Sequence, residues 1–185
     1  MSTAPILPAE VYAVFCGPIN QDTVQRIFNG LTTASANKVQ RMHLLFQSNG
    51  GTVGDGICLY NFFKTFPVDL ILYNVGAVQS IAVIAYLGAK TRKTSARALF
   101  MLHRTSSPAQ ATMAVTLKGV AKSLTLDDQR AESILKESVT LLGNEQWSNL
   151  DYYDFFFSGE EAVKIGLAHE IGEFSPPSGT QIYNV

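Results

Sequence analysis

Three polar residues of the chain carry the side chains that acyl-transfer chemistry needs: Ser80, His103 and Asp154. That chemistry uses a hydroxyl nucleophile, a base that takes its proton, and a carboxylate that orients the base. Ser80 follows an apolar run and the segment Gly-Ala-Val-Gln, which places it in the first turn of a predicted helix. Unpaired N–H groups and the positive end of the helix dipole favour a developing anion there. A serine that merely caps the helix is the structural alternative.

His103 is the best placed of the three histidines to act as the base. It ends an apolar run at the carboxyl end of a predicted strand, where open parallel sheets bind their ligands. His43 lies early within a predicted strand and His169 lies near the end of the chain. The alternative for His103 is a structural role, in which its ring nitrogens are hydrogen-bonded and take no part in catalysis. Asp154 lies among aromatic neighbours, where a buried carboxylate needs a partner such as an imidazole N–H, and an exposed loop acid is its alternative.

Two consecutive glycines, Gly50 and Gly51, follow another predicted strand. Glycine tolerates a positive φ and close approach of its backbone to a ligand, so the Gly51 N–H is a candidate oxyanion donor; an ordinary turn is the alternative. The chain contains neither a phosphate-binding loop motif nor a dinucleotide-binding glycine fingerprint. Its histidines and cysteines lack metal-ligand spacing. We therefore predict neither a cofactor nor a metal.

The elements that must position these residues alternate along the chain. Short apolar runs predict strands, and helical spacing of apolar residues predicts the segments between them. This alternation predicts parallel βαβ units in an α/β domain. Residues 1–174 are predicted to form that single domain and residues 175–185 a flexible tail. The predicted strands are 11–16, 42–47, 68–73, 92–95 and 98–103, and predicted helices begin at Asn20, 57, 79, 145 and 159. A further long helix is predicted from somewhere after Pro108, with its clearest section at 126–142.

Composition excludes several classes of protein. The 185 residues are 46% hydrophobic and 16% charged, which suits one domain with a sizeable core. The formal net charge of -1 gives no basic field for nucleic acid or a membrane surface. The start lacks the pattern of a secretory signal, and the apolar run 81–89 is too short to span a bilayer. Two cysteines in apolar segments, where buried thiols are usual, predict a reducing cytoplasm.

Five motifs occur in a characteristic order: SNGG, GAVQS, LGAK, MLH and DFFFSGEEAVKIGL. With this order the chain resembles ClpP, the proteolytic subunit of the Clp protease, over about residues 11–172. The resemblance implies an α/β, ClpP/crotonase-like superhelix of ββα units with a protruding helical handle around residues 116–142. It also implies a serine endopeptidase in which Ser80 is the nucleophile, His103 the base and Asp154 its orienter. The N–H groups of Gly51 and Ile81 would form the oxyanion hole.

The resemblance further implies a substrate and partners. The substrate would be a peptide or an unfolded protein, and the chain would form a homo-oligomer, either a heptameric ring or stacked rings. An AAA+ unfoldase is the implied protein partner. The implied substrate-binding residues are Gly50, Val78, Gln79, Arg104 and Thr105.

The chain departs from the family pattern near the implied substrate path. Val78 and Gln79 replace small residues, and Ile81 replaces a methionine, so we expect a narrowed cleft. Residues 105–110 stand where the family has a glycine-rich stretch. Phe155 stands where the family has an arginine that pairs the two rings, which makes a single ring as plausible as a double one.

Three other functions are compatible with the same fold. An inactive or weakly active ClpP-like scaffold subunit would keep the ring without the turnover. A crotonase-like acyl-CoA enzyme would use paired amides to hold an oxyanion without a triad. A membrane-bound Ser-Lys peptidase shares the fold, but the sequence leads us to expect no membrane anchor, so this alternative ranks last.

Overall fold

The computed structural model describes residues 8–108, 113–140, 143 and 149–185. Strands and helices alternate through the first half of the chain, as predicted, and the second half contains one long helix. In chain order the elements are β1 (Glu10–Cys16), α1 (Gln21–Ala36), β2 (Arg41–Gln47), α2 (Val53–Thr65), β3 (Asp69–Asn74), β4 (Ala77–Gln79), α3 (Ile81–Leu87), β5 (Thr91–Thr94), β6 (Leu99–Leu102), α4 (Ala114–Ser138), β7 (Phe155–Ser158), α5 (Gly159–Ile165), β8 (Glu170–Ile171) and β9 (Ile182–Asn184).

Two sheets form the framework of the molecule. The larger has six strands in the order β8-β5-β3-β2-β1-β9, and all of its pairs are parallel. The smaller has the order β4-β6-β7, with β4 and β6 parallel and β6 and β7 antiparallel. The predicted α/β fold class with parallel strands is therefore confirmed.

Local sequence signals explain where the first helix begins. The Asn20 side chain accepts a hydrogen bond from the Thr23 N–H, and the Thr23 hydroxyl receives one from the Asn20 N–H, which completes a capping box. Val24, Ile27 and Leu31 then fall on one helical face and are buried. Burial of this apolar stripe fixes α1 on the sheet.

Helix α3 lies at the centre of the core, and all seven of its residues are buried. It begins at Ile81, two residues later than predicted, because Ala77–Gln79 pair with β6 as strand β4. This late start makes Ser80 the residue between a strand and a helix.

Helix α4 projects from the body, as expected for the handle. It has 25 residues, of which only Ile134 and Leu135 are buried. These two anchor its C-terminal half beside α3, whereas apolar side chains of its N-terminal half, including Val115 and Leu117, are exposed. The predicted C-terminal end of this helix at 141–142 lies outside the described residues, as does most of the predicted helix 145–150.

Two expectations are wrong. Residues 175–185 were expected to form a loose tail, but Ile182–Asn184 pair with β1 and Val185 is buried next to Gly30. This strand has three residues, too few to show apolar periodicity in the sequence. It forms because it pairs with the edge of β1. Cys16 and Cys58 were expected to be buried and are exposed, unpaired thiols at the surface.

No helix among the described residues combines the length and the apolar character that a bilayer crossing requires.

Candidate active site

Ser80 occupies a strained position at the start of α3. Its backbone has φ 56° and ψ -134°, a left-handed region that non-glycine residues rarely adopt and that costs about 1–3 kcal/mol. The Ser80 N–H donates to the Met101 carbonyl at 2.8 Å, which ties this corner to β6. The side chain forms no capping hydrogen bond with the helix. Ser80 is therefore at the N-cap without acting as a side-chain cap.

The Ser80 hydroxyl instead contacts a histidine. Its Oγ lies 2.7 Å from Nε2 of His103, the first residue after β6. The other two histidines have structural contacts: His43 bonds the Tyr73 hydroxyl at 2.8 Å, and His169 accepts from the Arg92 N–H at 3.2 Å. Within the described part of the chain, His103 is thus the histidine that contacts a serine hydroxyl.

Asp154 does not contact His103 in this structure. It is exposed and has no hydrogen bond or ion pair with any residue of the described ranges. The register nevertheless sets the two residues opposite each other, because Leu102 and Phe155 form the last pair of the β6–β7 ladder and His103 and Asp154 come next. The structure therefore brings together two of the three predicted catalytic residues and leaves the third one step beyond the ladder.

Gly50 and Gly51 pass directly beside Ser80. Their φ values are +101° and +157°, and a Cβ on Gly50 would lie 2.7 Å from the Ser80 Cβ. Ile19 donates to the Gly50 carbonyl and accepts from the Thr52 N–H, a parallel pattern in which the intervening Gly51 N–H points away from Ile19. At the start of α3 the Ile81 N–H has no acceptor within the helix. These two amides are the backbone donors that lie beside the serine.

A cleft of about 160 Å³ opens next to Ser80 and His103. Its size suits one side chain, because pockets for whole ligands measure about 300–1,000 Å³. Its wall is apolar and its rim carries polar and charged groups. It is lined by Gly51, Val53, Ser80, Ile81, Ile84, Leu102, His103, Arg104, Thr105, Ser106, Asp128, Ala131, Glu132, Leu135 and Leu150.

Only some of the expected substrate-binding residues line the cleft next to Ser80. Arg104 and Thr105 line the cleft, whereas Gly50 and Gln79 do not. Val78 was expected to narrow the cleft, but its side chain is 0% exposed and packs in the core, so that expectation is corrected. Strand β4 alternates its side chains, so Val78 in the middle of the strand points inward, whereas Ala77 and Gln79 on either side of it are partly exposed.

Sequence reasoning missed the wall that α4 contributes. Asp128, Ala131, Glu132 and Leu135 lie three and four residues apart and so share one helix face. That spacing was a usable signal of a common face. Only the packing of α4 against α3 shows that this face borders Ser80.

Charged groups surround the residue after His103. Arg104 pairs with Glu132 at 2.8 Å and with Asp151 at 2.6 Å, and Glu132 also pairs with Lys136 at 2.6 Å. Hydrogen bonds from Lys136 and then from Arg104 lower the pKa of the Glu132 carboxyl. The Thr105 N–H donates to Asp128 at 2.7 Å. The segment after β6 is thereby tied to α4.

The described residues contain no group of three or more His, Cys, Asp or Glu side chains that could hold a metal ion. The site consists of a hydroxyl, an imidazole, backbone amides and a cleft.

Comparison with solved structures places this framework in a known class of fold. A mutant of ClpP1 from Listeria monocytogenes has the same fold, with a TM-score of 0.76 and 21% sequence identity over 89% of this chain and 91% of that one. The structure thus has the ClpP fold, and the expected handle and sheet arrangement fit it.

Comparison of sequences identifies the family. The Clp protease family model matches residues 6–175, and this chain belongs to that family. It is 25% identical over 157 residues to the ATP-dependent Clp protease proteolytic subunit 3 of Rhizobium etli, covering 84% of this chain and 80% of the relative. It is 24% identical over 170 residues to proteolytic subunit 2 of Borreliella burgdorferi, covering 86% and 81%. The resemblance drawn from the five motifs is confirmed.

Proposed function

We propose that this chain is a serine endopeptidase that cleaves peptide bonds in peptides and unfolded proteins. One observation carries the proposal: the 2.7 Å hydrogen bond between Ser80 Oγ and His103 Nε2 at the start of a helix. A hydroxyl bonded to an imidazole in this position has both a base for its proton and amides for the charge that forms. Membership of the Clp protease family supports the same activity.

The geometry suits a two-step acyl transfer. Ser80 Oγ attacks the peptide carbonyl carbon while its proton moves to His103 Nε2. The C–N bond then breaks, and His103 returns the proton to the leaving amine. Water next attacks the acyl-enzyme ester, with His103 again accepting a proton, and Ser80 is released.

The Gly51 and Ile81 amides are the proposed donors to the oxyanion. Both lie beside Ser80, and both are free of the hydrogen bonds that the parallel bridge and the helix provide to their neighbours. Loss of one such donor costs about 10²–10³ in kcat. Backbone donors of this kind require no reorganisation when the charge develops.

Asp154 is the proposed orienter of His103. Support comes from the β6–β7 register, which makes the two residues the next facing pair after Leu102 and Phe155. Directly opposed residues of an antiparallel pair have Cβ atoms about 4.5–5.5 Å apart. Extension of the ladder by one residue would bring the Asp154 carboxylate within reach of the His103 ring.

The cleft suggests the position of the substrate. Ile84, Leu135 and Leu150 provide an apolar wall next to the nucleophile, which suits an apolar side chain preceding the cleaved bond. Arg104 and Thr105 lie on the rim, where the substrate backbone would pass.

Self-association and partners extend the proposal. Exposed apolar side chains on the N-terminal half of α4, including Val115 and Leu117, suit contact with further copies of this chain in a ring. An AAA+ unfoldase partner is proposed because the relatives are named as subunits of ATP-dependent proteases. Unpaired thiols at Cys16 and Cys58 agree with a reducing cytoplasm.

The decisive experiment uses the purified chain, a fluorogenic peptide and unfolded casein. Ser80→Ala should abolish hydrolysis, and Asp154→Asn should lower kcat by roughly 10⁴-fold. Ser178→Ala is a matched control, because Ser178 is exposed, does not line the cleft and forms no side-chain hydrogen bond among the described residues. Hydrolysis that persists at the same rate in Ser80→Ala would contradict the proposal.

One observation favours a second function, that of a scaffold subunit without turnover. Asp154 is exposed and separate from His103, so the base lacks its orienter in this structure. A fluorophosphonate probe distinguishes the two functions, since only an activated Ser80 reacts with it. Absence of labelling in a chain that still forms oligomers would establish the scaffold.

A further inference from the structure

Arg104 connects three parts of the molecule that meet at the proposed active site. It follows His103 directly in the chain. Its guanidinium donates to Glu132 on α4 and, through two nitrogens, to Asp151 in the turn before β7. We name this set of three residues, Arg104, Glu132 and Asp151, the ionic clamp.

Asp151 belongs to the turn that leads to Asp154. The N–H groups of Tyr152 and Tyr153 both donate to the Asn149 carbonyl at 3.0 Å, which closes the turn. Asp154 directly precedes β7, whose pairing with β6 begins at Phe155. Because only two residues separate Asp151 from Asp154, the position of one restricts the other.

Asp154 lies between two fixed points, the β6–β7 ladder that begins at Phe155 and the clamp at Asp151. Tyr152 and Tyr153 are 79% and 68% exposed, so burial does not hold the end of the turn. The Arg104 side chain is 27% exposed and that of Glu132 is 26% exposed, which shields part of the network from solvent. A planar guanidinium that binds two carboxylates also fixes direction, which a lysine ammonium does not.

We propose that Arg104 is a positioning residue that holds Asp154 opposite His103 through Asp151, with Glu132 fixing Arg104 to α4. The inference rests on the proposed peptidase function and assigns Arg104 an action on the base rather than on the substrate alone. It predicts that loss of the clamp lowers kcat because the turn would no longer hold Asp154 at the end of the β6–β7 ladder, one step from pairing with His103. A displacement of about 1 Å can cost roughly 10²-fold in rate.

The test is a double-mutant cycle measured with the full-length chain and a fluorogenic peptide. Arg104→Gln alone should lower kcat about 10²-fold, and Asp151→Asn should do the same. In the Asp154→Asn background, Arg104→Gln should cost nothing further, because the residue it positions is already lost. Arg104→Lys should restore only part of the rate. The control is Arg130→Gln on α4. Arg130 pairs with Asp127, neither residue lines the cleft, and kcat of this variant should equal that of the unaltered chain.

Each result decides for or against the clamp. Losses that multiply in Arg104→Gln/Asp154→Asn would show that Arg104 acts independently of Asp154 and would overturn the inference. A rate equal to or above that of the unaltered chain in Arg104→Gln would also overturn it. Ser80 labelling by a fluorophosphonate separates this failure from failure of the proposed function: absence of both labelling and hydrolysis in the unaltered chain overturns both.

Discussion

Replacement of Gly50 by alanine should disturb the nucleophile more than it disturbs the fold. The added Cβ would lie 2.7 Å from the Ser80 Cβ, 3.1 Å from the Gln79 carbonyl oxygen and 3.2 Å from the Ser80 Oγ. Carbon atoms pack at about 3.5 Å or more, so Ser80 must move by roughly 0.8 Å. The φ of +101° adds strain of about 1–3 kcal/mol.

A movement of that size is enough to break the contact with the base. The Ser80–His103 hydrogen bond is 2.7 Å long, and a separation of about 3.5 Å no longer counts as one. We expect Gly50→Ala to lower kcat/KM for a fluorogenic peptide about 10²-fold. The rate of Ser80 labelling by a fluorophosphonate should fall by a similar factor.

Gly54→Ala provides the matched control. The same methyl group there would meet nothing within 4 Å, and alanine favours a helix over glycine by up to about 1 kcal/mol. Urea unfolding should therefore show equal or higher stability for Gly54→Ala, with activity unchanged. A folded Gly50→Ala chain that is labelled and turns over at the normal rate would refute this account of the turn.

Two further predictions concern stability. Arg92→Met should lower the free energy of unfolding by at least about 3 kcal/mol in urea titrations. The Arg92 guanidinium donates to the carbonyls of Leu167, Ala89 and Gly166, and each of these carbonyls would lose a buried donor worth roughly 1–3 kcal/mol. A loss below about 1 kcal/mol would contradict this role. Burial lowers the pKa of both His43 and His169, so the unfolded chain takes up protons first as the pH falls below about 6.5. The free energy of unfolding should therefore be fully present above that pH and decrease toward about pH 5, less steeply in His43→Gln, and a flat profile would count against it.

The strands and the first helices were predictable because their signals are local. The Asn20 capping box fixes the start of α1, and short apolar runs bounded by glycine mark β1, β2 and β3. Strands β4, β7, β8 and β9 were not predicted as strands. Each is two to four residues long and exists through pairing with a remote strand, which sequence periodicity does not record.

The proposed site was predictable in part for the same reason. Ser80 and His103 each lie at the end of a strand, where parallel sheets open, so their order in the chain indicated their place. The contribution of Glu132 and the burial of Val78 depend on how α4 and β4 pack, which follows from tertiary contacts. The exposed position of Asp154 follows from where the β6–β7 ladder ends, and the sequence of the two strands does not mark that end.

The proposed site has two halves that are stabilised by different forces. Ser80 and His103 adjoin α3, which is fully buried, and β6, of which Phe100 and Leu102 are buried, and burial of apolar side chains is not subject to charge screening. The turn that carries Asp154 is exposed and is held by the ionic clamp, which dissolved salt screens. The positions of Ser80 and His103 are thus fixed by the fold, whereas the position of Asp154, the proposed orienter, depends on the ion pairs that Arg104 forms with Glu132 and Asp151. Because α4 also presents the exposed apolar side chains proposed to contact other copies of this chain, the proposed role of the clamp predicts that a contact on that helix affects Asp154 through Glu132 and Arg104.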